Sequence, residues 1–133
     1  MTPDLFVYGT LLSTAGHPMG ARLRREARLL GEASVQGRLY RVGKYPGLVE
    51  DADPQDRVHG EVYALKSPAI ALAWLDAYEG IVPGTRDQNE YERIERPVRL
   101  ASGEHMTAWV YLYRKKVARL HLIPGGRWMS AQP

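Results

Sequence analysis

The hydrophobic residues of this chain fall into short runs that predict seven elements, in the order strand, helix, strand, strand, helix, strand, strand. The apolar run from Leu5 to Tyr8 is typical of a buried strand. After Pro18, apolar side chains recur every three or four residues, which predicts a helix that ends at Gly31. The apolar positions of this predicted helix are Met19, Leu23, Ala27 and Leu30.

The rest of the chain alternates predicted strands with one apolar helix. Strands are predicted over 35–42, 58–65, 91–100 and 105–113, with a turn over 44–47. Gly37 stands where a bulge is expected. Ser67 and Pro68 favour the start of a second helix, which Gly80 ends. The loop 81–90 that follows is long enough to cover a site.

This order of elements predicts the fold class. Two helices among five strands, with a hairpin near the end, favour an α+β arrangement: a small mixed β-barrel with flanking helices, and not a doubly wound parallel sheet. The 133 residues match the common size of one domain, so we expect residues 1–133 to form a single domain.

Composition narrows the possible functions. The chain has no cysteine, which excludes a thiol nucleophile, a disulfide framework and a thiolate metal site. No apolar run approaches the roughly 20 residues that span a bilayer. The first four residues lack the basic region of a signal peptide. We therefore expect a cytoplasmic protein without a membrane segment.

Charge leaves two clusters open to interpretation. The formal net charge is +3, and a basic cluster over 22–28 could either contact nucleic acid or form the solvated face of a helix. The aromatic residues are not interleaved with basic ones, which disfavours nucleic-acid binding. Asp51, Asp53 and Asp56 could suggest calcium, but they lack EF-hand spacing, so we expect a solvated loop and no metal.

The turn after the first strand is the first candidate for chemistry. Gly9 breaks the strand and could let a ligand or a neighbouring backbone come close. The N–H groups of Thr10 and Leu11 follow before any helix begins, and an open turn of amides can bind an anion or a polarised carbonyl oxygen. An ordinary strand-ending turn is the alternative.

Glu79 is the second candidate. It falls in the last turn of the apolar second helix, at the unfavourable end of the helix dipole for a carboxylate, and an apolar setting would also raise its pKa. Both effects favour a carboxyl group that exchanges protons near neutral pH, with Asp76 as its neighbouring carboxylate. The alternative is a helix end that faces solvent.

Four ordered stretches together resemble the gamma-glutamylcyclotransferase-like family, which includes gamma-glutamylamine cyclotransferases and AIG2-like proteins. They are Tyr8–Leu11, Tyr45–Val49, Leu75–Gly80 and Tyr91–Arg93. The resemblance covers about Leu5 to Tyr113. It implies the small-barrel fold, a small-molecule gamma-glutamyl substrate and formation of 5-oxoproline without cofactor or metal.

The resemblance also implies residue roles. Glu79 matches the family's catalytic glutamate. The stretch Tyr8, Gly9, Thr10 and Leu11 matches the substrate-binding turn, although serine is also common in the family at the position of Thr10. Tyr91, Arg93 and Tyr111 are expected to line or brace the pocket, and Arg93 could equally be a structural ion-pair partner.

Three functional hypotheses remain at this point. The first is a cyclotransferase that depends on Glu79 and the 8–11 turn. The second is a non-catalytic module that binds a small gamma-glutamyl or carboxylate ligand in the same pocket. The third is nucleic-acid binding through the 22–28 cluster. We expect a monomer or a weak homodimer.

Overall fold

The computed structural model describes residues 2–128, which form eight strands and two α-helices. In chain order these are β1 (Asp4–Val7), α1 (Pro18–Glu26), β2 (Ala27–Gln36), β3 (Arg38–Arg41), β4 (Pro46–Val49), β5 (Arg57–Leu65), α2 (Pro68–Tyr78), β6 (Tyr91–Leu100), β7 (His105–Tyr113) and β8 (His121–Leu122). Two 3-10 turns, Arg86–Gln88 and Pro124–Gly126, lie in the connecting segments.

Five strands close into a barrel, in the order β1-β5-β2-β6-β7, because β7 pairs back onto β1 at Leu5 and Trp109. That closing pair is parallel, whereas the other four pairings around the ring are antiparallel. The predicted α+β class with a small mixed barrel is therefore confirmed. Apolar side chains that alternate along the strands fill the barrel, among them Phe6, Val62 and Val110.

The edge of β7 that closes the barrel is shared by two strands. β1 contacts β7 at Trp109, and three residues further along β7 the strand β4 takes over, with Leu48 opposite Leu112. β3 and β8 then extend the sheet beyond β4. β1 and β4 must diverge at this point, which leaves space beyond the end of β1.

The prediction that the first helix runs to Gly31 was wrong. α1 ends at Glu26, and Ala27 has extended backbone angles that begin β2. β5 needs a partner along its second edge, and β2 supplies it over its whole length, so long-range pairing overrides the local helical spacing. Gly31 lies at a bulge in β2, with φ of 146°, and is not a helix stop.

The predicted strand over 35–42 is divided at Gly37. A Cβ at this position would lie 2.7 Å from the carbonyl oxygen of Val49, so glycine permits the close approach of β4. The residues after Gly37 form β3, which pairs with β4. The predicted turn over 44–47 extends too far, because β4 already begins at Pro46.

Candidate functional site

The chain leaves β1 through a tight turn that brings two backbone amides to the open end of the barrel. Leu12 N–H donates to the carbonyl oxygen of Gly9 at 3.0 Å, so Thr10 and Leu11 occupy the centre of the turn. Within residues 2–128, the backbone N–H groups of Thr10 and Leu11 have no hydrogen-bond acceptor. These amides are available to an oxygen of a ligand.

Close packing, and not an unusual backbone angle, explains the glycine in this turn. Gly9 has a negative φ. A Cβ at Gly9 would lie 2.8 Å from Cγ and 2.9 Å from Cδ of Pro46, the first residue of β4. The rigid ring of Pro46 therefore requires a residue without a side chain opposite it, and this contact places the turn against the start of β4.

Tyr8 bridges the gap between β1, β4 and β7 through its hydroxyl group. The hydroxyl donates to the carbonyl oxygen of Tyr111 at 2.6 Å and accepts from the backbone N–H of Leu48 at 3.2 Å. Burial and the nearby Glu79 carboxyl raise the pKa of the Tyr8 phenol, so it remains protonated and can donate. Tyr8 thus holds the two diverging strands at a constant separation beside the site.

The end of α2 holds Glu79 through a glycine cap. Gly80 has φ of 73°, its N–H donates to the carbonyl oxygen of Ala77, and the N–H of Ile81 donates to that of Asp76. This pair of hydrogen bonds is the Schellman arrangement, in which a residue after the helix takes a left-handed conformation that glycine adopts without strain. Glu79 is consequently the last residue before a sharply defined stop.

Glu79 and the amide turn face one small pocket. The pocket has a volume of about 40 Å³, and its lining consists of Val7, Tyr8, Gly9, Thr10, Leu11, Tyr45, Pro46, Glu79 and Tyr91. Among the described residues, the Glu79 carboxyl group has no hydrogen-bond or ion-pair partner. Burial, reinforced by the negative charge of Asp76, raises the pKa of Glu79 to about 7.

A hydrogen bond between two hydroxyl groups joins the amide turn to α2. The Thr10 and Tyr78 hydroxyl oxygens are 2.6 Å apart, and either can donate. Because Tyr78 directly precedes Glu79, this bond connects the amide turn to the segment that carries Glu79. Tyr91 closes another side, where its hydroxyl donates to the carbonyl oxygen of Pro46 at 2.8 Å.

Arg93 and Tyr111 lie outside the pocket and bind Asp76 instead. Arg93 donates two hydrogen bonds to the Asp76 carboxylate, at 2.7 Å and 3.2 Å, and the Tyr111 hydroxyl donates a third at 2.7 Å. The guanidinium group also lies 4.3 Å above the ring of Trp109. Of the two expected roles, lining or bracing the pocket, these contacts fit bracing through Asp76, and the ion-pair alternative for Arg93 agrees with the structure.

A larger groove of about 490 Å³ opens outward from the small pocket. The two share Thr10, Tyr45, Glu79 and Tyr91. Its remaining lining residues, none of them predicted from the sequence as site residues, are His17, Lys44, Tyr78, Gly80 and Glu90. Tyr45 and Pro46 were likewise not assigned to the site, although both belong to one of the motifs that carried the family resemblance.

The loop 81–90 contributes little to the lining. Only Glu90, its last residue, borders the groove, where the Tyr45 hydroxyl donates to its carboxylate at 2.9 Å. Arg114 donates to the carbonyl oxygens of Arg86 and Asn89 within this loop. Along residues 2–128, no helix is long and apolar enough to cross a membrane, and no three His, Asp or Glu side chains are grouped as metal ligands.

Comparison with known proteins identifies a family whose model matches this chain. Residues 5–130 match the family model described as gamma-glutamyl cyclotransferase, AIG2-like. The chain is 36% identical over 127 residues to the gamma-glutamylcyclotransferase family protein YtfP of Escherichia coli K12, covering 95% of this chain and 96% of that protein. It is 39% identical over 129 residues to a protein of Vibrio cholerae that is described as a gamma-glutamylcyclotransferase on a provisional basis, covering 93% of both chains.

Two solved structures share the fold. The solution structure of E. coli YtfP matches with a TM-score of 0.64 at 36% identity, covering 95% of this chain and 96% of that one. The crystal structure of an AIG2-like protein from Mus musculus matches with a TM-score of 0.74 at 23% identity, covering 98% of this chain and 90% of that one.

Proposed function

The chain belongs to the gamma-glutamyl cyclotransferase, AIG2-like family, and we propose that it releases an amine or amino acid from a gamma-glutamyl compound and forms 5-oxoproline. One observation carries the proposal: Glu79, whose pKa is raised to about 7, lines the same pocket as the unpaired amides of Thr10 and Leu11. A proton-exchanging carboxyl group and an oxygen-binding turn are the two devices that this reaction needs.

The reaction in this proposal is an intramolecular acyl transfer. Glu79, as carboxylate, takes a proton from the α-ammonium group of the gamma-glutamyl substrate. The free amine attacks the γ-carbonyl carbon, a new C–N bond closes the five-membered ring, and the original amide C–N bond breaks. Glu79 returns its proton to the leaving nitrogen, and the second proton lost by the ring nitrogen passes through the same carboxyl group to the released amine. 5-Oxoproline and an ammonium ion are thus produced without a water molecule or an external nucleophile.

The amide turn serves the oxygen atom that gains negative charge during this step. The N–H groups of Thr10 and Leu11 are held in place by the Leu12–Gly9 hydrogen bond and by the contact of Gly9 with Pro46. Donors that are already oriented stabilise a developing oxyanion without the cost of reorganisation. Ring closure also requires a folded substrate chain, and a narrow pocket favours that conformation.

The leaving group would occupy the larger outer groove. This groove begins at Glu79, where the scissile bond must lie, and carries both a cation, Lys44, and a carboxylate, Glu90. The Tyr45 and Tyr78 rings supply apolar surface between them. A leaving group that combines a short carbon chain with charged ends would contact all four side chains.

Turnover of defined substrates tests the proposal. Purified protein would be incubated with a panel of gamma-glutamyl amino acids and gamma-glutamyl amines, and 5-oxoproline would be measured. We expect product from at least one compound, and a loss of about 10² to 10⁴-fold in Glu79→Gln, since this is the usual contribution of a positioned acid–base group.

Two results would overturn the proposal. One is thermal stabilisation of the folded protein by gamma-glutamyl compounds without any product, which would favour the non-catalytic binding module. The other is full activity in Glu79→Gln. Arg119→Gln, at an exposed position outside both pockets, is the matched control and should retain the activity of the unsubstituted chain.

A further inference from the structure

A second cleft, on the outer face of the barrel, is built around a row of polar side chains that crosses three strands. His59 of β5 lies opposite Ser34 of β2, and Ser34 lies opposite Arg99 of β6. Residues that are directly opposite in neighbouring strands point to the same face of a sheet, so these three side chains form a continuous row. The cleft above them has a volume of about 310 Å³.

Two more arginines are held beside this row. Arg57 lies two residues before His59 and donates to both the hydroxyl and the carbonyl oxygen of Ser34, at 3.0 Å and 2.8 Å. Arg127 reaches the cleft from the segment after β8. That segment is fixed against β5, because a Cβ at Gly126 would lie 2.0 Å from the carbonyl oxygen of Arg57.

The positive charges of the cleft are not neutralised locally. Among the ion pairs within residues 2–128, none includes Arg57, Arg99 or Arg127. Burial and the nearby charges of Arg127, Arg57 and Arg99 lower the pKa of His59, opposed only in part by Glu32. Burial and Arg99 likewise lower the pKa of Arg57. Glu32 also lines the cleft, one carboxylate against several cations.

We propose that this cleft binds a small molecule through a phosphate or diphosphate group, held by Arg99 and Arg127 with His59 and the Ser34 hydroxyl beneath it. Guanidinium groups present paired donors that match phosphate oxygens, and a charge-assisted pair is stronger than a neutral hydrogen bond. The Ser34 oxygen already accepts from Arg57, so its hydrogen is free to point into the cleft. A volume near 300 Å³ suits a small ligand.

The cleft is separate from the proposed reaction site. Its lining has no residue in common with the small pocket or with the outer groove at Glu79. A ligand here would therefore bind in addition to a gamma-glutamyl compound and without competing for the same atoms.

Calorimetry with inorganic pyrophosphate tests the inference, at fixed ionic strength and without added divalent cations. We expect saturable binding in the unsubstituted chain, with Kd rising about tenfold in Arg99→Gln and in Arg127→Gln, because each loses one charge-assisted contact. Arg119→Gln keeps the same net charge as these variants and should leave Kd unchanged. Glu79→Gln should also bind pyrophosphate normally.

A second measurement follows the pKa of the His59 imidazole. Bound pyrophosphate would offset the surrounding arginines and raise the pKa of the His59 imidazole, which NMR titration of its ring protons measures. A nucleoside diphosphate that binds more tightly than pyrophosphate would identify a nucleotide as the source of the phosphate, and tighter pyrophosphate binding would identify a free one. Failure to saturate, an equal loss in Arg119→Gln, or an unchanged His59 titration would overturn the inference.

Discussion

Two carboxyl groups one helical turn apart, Asp76 and Glu79, have opposite surroundings. Asp76 accepts three hydrogen bonds, two from Arg93 and one from Tyr111. Glu79 has no such partner among the described residues and lines the pocket beside the open amides. The number of partners decides what each group can do: the saturated carboxylate holds α2 against β6 and β7, while the unsaturated one remains available to exchange a proton.

The two groups also depend on each other. The charge of Asp76 helps to raise the pKa of Glu79, and Asp76 in turn forms an ion pair with Arg93. Arg93 and Tyr111 therefore affect the site through Asp76, at one remove from any substrate. They are positioning residues, which explains why neither borders the pocket.

After the loss of activity in Glu79→Gln, the pH dependence of activity is the largest effect that we expect. In the proposed reaction Glu79 must be deprotonated to accept the proton of the α-ammonium group, and burial raises its pKa to about 7. Activity should therefore approach a tenfold fall per pH unit well below 7, or roughly 50-fold between pH 7 and pH 5. The profile of kcat/KM against pH measures this limb, and a limb at the ordinary glutamate value near 4.5 would contradict the assignment.

The next largest effect is expected in Asp76→Asn, which should lower the free energy of unfolding. It breaks the paired contact with Arg93 and leaves a largely buried guanidinium group without its carboxylate, which should cost about 2 kcal/mol once partial exposure is allowed for. Urea unfolding measures the loss. The acid limb of the activity profile should also move to lower pH, because the charge that raises the pKa of Glu79 is gone.

Glu79→Gln is the matched variant for Asp76→Asn. We expect it to raise the free energy of unfolding at pH 8, whereas Asp76→Asn lowers it. Between about pH 4.5 and 7 the folded chain holds a proton on Glu79 that the unfolded chain has lost, so stability from this group declines as pH rises. Glu79→Gln should thus be as stable as the unsubstituted chain at pH 4.5 and more stable at pH 8. A loss of stability at pH 8 would contradict the view that Glu79 is unpartnered.

The contact between Thr10 and Tyr78 should give the smallest effect. Thr10→Val keeps the shape of the side chain but removes the hydroxyl bond to Tyr78, which is worth about 1 kcal/mol, so kcat/KM should fall about fivefold. Thr10→Ser retains the hydroxyl and should restore most of the activity. Full activity in Thr10→Val together with a loss in Thr10→Ser would show that the methyl group, and not the hydrogen bond, matters.

Local patterns in the sequence were sufficient to locate Glu79 and the amide turn, but not the hydrogen-bond partners of Asp76. Gly9 after an apolar strand and Gly80 after an apolar helix mark where the amide turn and Glu79 lie. Gly80 acts through its immediate neighbours, whereas the reason for Gly9 is its contact with Pro46 of β4. The Asp76 network could not be predicted in the same way. Its members come from α2, β6 and β7, and their meeting depends on how the barrel closes.

The first helix shows the same limit, because local spacing in the sequence does not reveal long-range strand pairing. Its spacing indicated a helix as far as Gly31, yet residues from Ala27 onward form β2, since β5 offers a second edge that only tertiary structure reveals. The basic cleft was missed for a related reason. His59, Ser34 and Arg99 are far apart in sequence, and only the register of three strands brings them into one row.

The glycine cap at the end of α2 has a consequence for how this protein can diverge. Each residue turns an α-helix by about 100°, so one residue inserted or deleted between Asp76 and Glu79 would swing Glu79 out of the pocket while Asp76 stayed on its partners. Substitutions at Lys44 or Glu90 leave the length of this turn unchanged, and at Glu90 they remove only the hydrogen bond from Tyr45. Under the proposed reaction, single replacements in the groove would change which leaving group fits, whereas a change in the length of this one helical turn would remove Glu79 from the pocket.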